Sequence, residues 1–143
     1  MQQQKNLRSG FSLIELLIVI AILGGLMAVI APGIINSQKK ATRKTMCFSM
    51  NALKGRFEQF ELDNGRLPDT EEGMQALIAN PDADKYPNYP VVSYLKKVKK
   101  DAWSQAFVYI NKGSEVELIS YAADRKEGGE KWDKDILLSD CNK

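Results

Sequence analysis

Hydrophobic and polar positions follow a different pattern in each part of the chain, and each pattern predicts a different element. From Phe11 to Ala31, "FSLIELLIVIAILGGLMAVIA", nearly every position is apolar, broken only by Ser12, Glu15, Gly24 and Gly25. At a rise of 1.5 Å per residue this run makes a helix of roughly 30 Å, about one hydrocarbon thickness of a bilayer. The sequence then turns polar and basic, "NSQKKATRKT", where such a helix leaves the apolar layer. Met46, Met50, Leu53, Phe57 and Phe60 follow at spacings of four, three, four and three, interleaved with Arg43, Lys44, Lys54, Arg56, Glu58 and Glu61. That is an amphipathic helical stripe. It predicts the second half of one long helix, its apolar face packed on a small domain, with a stop near Asn64-Gly65.

Beyond that stop the periods shorten. "PDTEEGMQALIAN" predicts a short helix with Asp69 or Thr70 as N-cap and Glu71 and Glu72 in its first turn. The stretch from Pro81 to Pro90, with three prolines and two tyrosines, predicts a loop. "FVYIN" and "EVELISYA" alternate on either side of Lys112-Gly113-Ser114 and predict a hairpin, to which "DILLS" adds a short third strand. The expected fold class is therefore α+β, a long N-terminal helix lying on a small antiparallel sheet.

Charge and composition narrow what such a chain does. The net charge is +2, and Lys5 and Arg8 account for it: removing them from 20 basic residues leaves 18 against 18 acidic ones. A body so nearly neutral has no electrostatic footprint for nucleic acid, and none is expected as a partner. The basic leader reads instead as an orientation signal that keeps the N-terminus in the cytoplasm. Histidine is absent from the 143 residues, which excludes a histidine-dependent hydrolase. Neither a glycine-rich phosphate loop nor a carboxylate pair fixed by spacing is found, so no enzyme is expected. Cys47 and Cys141 have no CxxC spacing; they suit one disulfide outside the cytoplasm or two free thiols serving as small hydrophobes.

Glu15 is the anomaly of the apolar run. A cleaved secretory signal and a plain signal anchor both fit the hydrophobicity, but neither needs an acid there. An ionised carboxylate near a bilayer centre costs on the order of 3 kcal/mol, which marks it as a functional group with a partner to be found. A cut between Gly10 and Phe11 would create that partner, the α-amino group of Phe11, one helical turn before Glu15. In an array of parallel helices the carboxylate can also meet a neighbour's amine, which offsets desolvation and fixes axial register.

"GFSLIELLIVIAIL" resembles the class III signal of type IV pilins and type II secretion pseudopilins. The resemblance implies a prepilin leader, residues 1–10, cut off between Gly10 and Phe11 by a prepilin peptidase that then methylates Phe11. It implies an assembly role for Glu15, and Pro32 also matches the family pattern. Residues 11–32 would be the transmembrane and filament-core helix, 33–65 its continuation into the globular part, and 66–143 a periplasmic α+β domain. On the sequence alone, Pro32 can kink the helix or end the membrane span.

Three further stretches are similar to the major pseudopilin family of type II secretion: "ELDNGRLPDTEEGMQALI", "YLKKVKKDAWSQAFVYI" and "SYAADRKEGGEKWDKDI". The third resembles that family's calcium-binding loop, and the match implies Asp124, Asp133 and Asp135 as calcium ligands. Calcium takes six to eight oxygens, and Gly128-Gly129 lets the chain fold back around an ion. A solvated acidic loop, part-neutralised by Lys126, Lys131 and Lys134, is the plainer alternative. Departures from the family are Lys99, Ala102, Ser104 and Ala106, where proline, proline, glycine and proline are common, and Arg125, where glycine is usual.

The function implied is a structural subunit of a periplasmic pseudopilus that helps drive folded proteins through the outer membrane. Expected partners are copies of itself in a helical filament, minor pseudopilins, the inner-membrane assembly platform and the prepilin peptidase. The expected location is the bacterial inner membrane as a single-pass protein, then the periplasmic filament. Alternatives are a subunit of a type IV pilus or DNA-uptake pseudopilus and, from another class, a membrane-anchored receptor.

Overall fold

The structure, a computed structural model, describes residues 11–141, with the backbone alone for Ala31 and Pro32. Helix α1, Leu13–Asn64, is 52 residues long. Two compact units divide the chain between Gln38 and Lys39, and α1 contributes to both. The helix is assigned without a break across Pro32 and ends where the glycine signal placed it: Gly65 has φ +76°, and its N–H donates to the Glu61 carbonyl at 2.7 Å. Glycine populates that left-handed region at no steric cost, so the chain leaves the helix there.

In the first unit all of residues 13–30 are exposed. In the second, every member of the predicted stripe is buried, with Met50, Phe57 and Phe60 fully so. The sheet that covers the stripe is antiparallel, in the order β1 (Val108–Asn111), β2 (Val116–Ser120), β3 (Ile136–Leu137). Val108 pairs with Ile119 and Asn111 with Val116, while Ser120 pairs with Ile136. The β1–β2 turn has Gly113 at φ +89°, and the Asn111 side-chain oxygen accepts from the Gly113 N–H at 2.7 Å. Phe57 stacks on Tyr109 with ring centroids 4.3 Å apart, and Phe60 meets Tyr86 edge-on at 5.0 Å. Leu77, Leu118 and Ile136 complete the core between helix and sheet.

One element differs from expectation, and another, the expected short third strand, is shorter than its sequence run. The short helix is a 3-10 turn, Gly73–Leu77, and neither Asp69 nor Thr70 caps it by its side chain. The Asp69 carbonyl accepts from Glu72 and Gly73, the Glu72 carboxylate accepts from the Asp69 N–H, and the Thr70 hydroxyl accepts from Asn111. Gly73 lies at φ +56°, which interrupts right-handed helix geometry and delays the helical turn past the expected start. The third strand is only two residues long, and Leu138–Asp140 turns at once into a 3-10 helix.

Candidate functional site

Glu15 lies in the first turn of α1, where the Ser12 carbonyl accepts from Leu16. An acid there suits the positive end of the helix dipole. Phe11 is 84% exposed, and Leu13, Ile14, Leu16, Leu17 and Ile18 around Glu15 are all exposed. Among the described residues α1 is the one helix long and apolar enough to cross a membrane. A surface this apolar is not stable against water; it needs lipid or another protein. Gly10, on the other side of the expected cut, lies outside the described residues, as does the side chain of Pro32.

The acidic loop follows β2. Asp124 is exposed and accepts from the Lys126 N–H at 3.2 Å, while Asp133 is exposed with its N–H on the Glu130 carbonyl. Asp135 is held more tightly. Its Oδ2 accepts from Gly128 at 2.9 Å, its N–H donates to the Gly128 carbonyl, and its Oδ1 is buried without a hydrogen-bond partner. Gly129 is required for this fold-back: a Cβ there would lie 2.3 Å from the Asp133 carbonyl oxygen. Among the described residues no three or more Asp, Glu, Cys or His side chains gather as a metal-holding group. Of the three carboxylates named from the sequence, only Asp135 offers a buried oxygen without a partner, a donor that an ion or a water could satisfy.

Three contacts tie the loop and the C-terminal end to α1. Cys47 and Cys141 are joined in a disulfide with Cα atoms 5.3 Å apart. Arg43 donates to the Lys134 carbonyl at 2.8 Å and more weakly to the Asp135 carbonyl at 3.4 Å. The Lys39 ammonium lies 5.9 Å from the Trp132 ring centroid, at the edge of cation–π reach. Arg125, beside Asp124, donates to the Trp103 carbonyl.

Sequence reasoning overlooked two polar clusters. Asp101 is buried; Oδ1 accepts from the Trp103 and Gln105 N–H groups and Oδ2 from the Ser120 hydroxyl at 2.6 Å, closing the turn before β1 onto β2. An aspartate opening a short polar turn was the available signal. The second cluster gathers Asp69, Glu72, Lys85 and Tyr86, with Lys85 2.6 Å from Glu72. Hydrogen bonds to Asp69 and Glu72 push the Lys85 ammonium well above its usual pKa. Burial works against charge at Glu72, but Lys85, Tyr86 and the Asp69 N–H outweigh it and hold the carboxyl below its usual value. Nothing in the spacing of these residues announces the cluster, because the loop fold brings them together.

An exposed apolar helix with an acid in its first turn, continuing into a small α+β domain, defines a pilin-like filament subunit. The family model "Type II secretion system (T2SS), protein G" matches residues 33–139, and the "Prokaryotic N-terminal methylation motif" matches residues 5–31. The chain belongs to the type II secretion system protein G family. It is 34% identical to the type II secretion system core protein G of Klebsiella pneumoniae, over 87% of this chain and 88% of that one. To the Pseudomonas aeruginosa core protein G it is also 34% identical, over 93% and 96% of the two chains. Among solved structures it is similar to the major pseudopilin from the type 2 secretion system of enterohaemorrhagic Escherichia coli. That match has TM-score 0.63 and 27% identity, and covers 72% of this chain and 90% of that one.

Proposed function

We propose that this pseudopilus subunit of type II secretion is made as a precursor, cut between Gly10 and Phe11 and methylated on Phe11 by a prepilin peptidase. It is held in the inner membrane by α1 with its α+β domain in the periplasm, then packed with copies of itself so that residues 11–31 bury one another. The supporting observation is the apolar stretch of α1, exposed along its whole length, with Glu15 in its first turn. Burial of such a surface stabilises an assembly by roughly 25 cal/mol per Å². Glu15 is the one charge in that core and pairs with the amine of Phe11, so only the register that brings them together avoids an unpaired buried charge. The filament helps push folded proteins across the outer membrane, working with minor pseudopilins and an inner-membrane platform. The role is structural, with no catalytic step in this chain.

Calcium is proposed as a ligand of the acidic loop, held by Asp135 with Asp124 and Asp133. It would supply a fixed positive charge that satisfies the orphaned Oδ1 of Asp135 and orders the loop. Intact mass of the membrane-extracted protein tests the processing. Loss of residues 1–10 with gain of one methyl group is expected; an uncut chain, or a cut elsewhere, contradicts the reading.

A further inference from the structure

Beside α1, within the second unit, lies an open groove of about 760 Å³. Arg56 on the helix and Lys96, Lys97, Lys99 and Lys100 on the segment after the proline loop line it, and no acidic residue does. None of these five cations makes an ion pair among the described residues. Val92, 81% exposed, stands at the groove, and its neighbour Val91 is fully exposed. Exposed valines beside a run of unpaired cations have the make-up of an interface, an apolar contact with a charged rim.

The same domain carries the opposite charge just past the end of the helix. Residues 69–85 hold Asp69, Glu71, Glu72, Asp82 and Asp84 against the single Lys85, a net of −4. Lys85 draws Asp69 and Glu72 together, which leaves Glu71 and Asp84 exposed and without an ion pair among the described residues. The groove lies alongside Ser49 to Arg56, and the acidic segment, which follows the end of α1 in the chain, borders it where the Leu95 N–H donates to the Leu77 carbonyl at 2.8 Å. One domain thus has a cationic surface and an anionic surface on different segments of its chain. Two different, complementary patches on one chain make a heterologous contact, which propagates into an open helical filament when its rotation does not close a ring.

We propose that the groove of one subunit receives the acidic 69–85 surface of a second copy of this chain. Glu71 and Asp84 face the lysines, and Val91 and Val92 fill the apolar centre. The proposal rests on the filament reading and adds to it a contact between globular domains, distinct from the burial of residues 11–31. Steering between opposite charges would fix which neighbour is chosen, while the apolar helices hold the assembly together.

Charge reversal in the full-length protein tests it, with sheared filament yield as the readout and the melting temperature of each detergent-solubilised variant as a control for folding. Lys96→Glu with Lys97→Glu, and separately Glu71→Lys with Asp84→Lys, each lower filament yield about tenfold or more, since like charges then meet at the contact. The quadruple variant, in which both surfaces are reversed, restores yield to near the unmodified level while all variants melt alike. Either pair of reversals leaving the yield unchanged overturns the proposal. So does a folded quadruple variant that stays unassembled, or a lysine reversal rescued by Glu58→Lys, which would place the partner on the helix instead. If the unmodified chain forms no filament, the filament reading itself fails.

Discussion

The two halves of α1 share one hydrogen-bonded backbone but draw their stability from different places. Residues 13–30 present leucine, isoleucine and valine on every side and bury none of them within the subunit. From Met46 to Phe60 five apolar residues form one buried stripe, with Phe48 exposed off it, and the sheet, the proline loop and the 3-10 turns cover it. The second half therefore folds by its own contacts, whereas the first is complete only in lipid or against other copies. Acids mark the same contrast. Glu58 pairs at the surface with Lys54. Glu15 lies in the apolar half, and the partner proposed for it, the amine of Phe11, would exist only after a cut before Phe11.

The comparison predicts that damage to the second half registers as lost stability. Phe57→Ala, which removes a fully buried ring stacked on Tyr109, destabilises the domain by about 3–5 kcal/mol in denaturant unfolding. Replacing both Cys47 and Cys141 by serine frees a loop spanning 94 residues and costs about 2–4 kcal/mol, read as a lower melting temperature that reducing agent no longer shifts. Calcium at a hundredfold excess over its Kd stabilises the protein by about 2.7 kcal/mol, and EDTA reverses the gain. A melting temperature indifferent to both ends the calcium proposal. The smallest effect comes from Ser104→Gly, which relieves a non-glycine residue at φ +65° and raises stability by roughly 0.5–1 kcal/mol.

Ser104 also shows what could be read from the sequence. It and Arg125 stand where the resembling family has glycine, and both adopt positive φ, at +65° and +61°. The backbone keeps the shape that glycine permits, so these departures mark strain within a preserved fold. The helical stripe, its stop at Gly65 and the hairpin were legible because periodicity and glycine act locally. The join between Cys47 and Cys141 was left open, since a separation of 94 residues carries no geometry. The Lys85 cluster and the bond from Ser120 to Asp101 were hidden for the same reason: these partners lie 13 to 19 residues apart and meet only through loops. Of the loop carboxylates expected from the resemblance, Asp124 and Asp133 are exposed, and only Asp135 has a buried oxygen without a partner.

Glu15→Ala tests most directly whether the apolar half is an assembly element and the rest a self-sufficient domain. Filament yield and the melting temperature of the detergent-solubilised subunit are measured together on the full chain. The account predicts that filaments are lost while membrane insertion and the melting temperature stay as in the unmodified protein. Normal filaments from that variant, or a loss of assembly accompanied by unfolding of the domain, would contradict it.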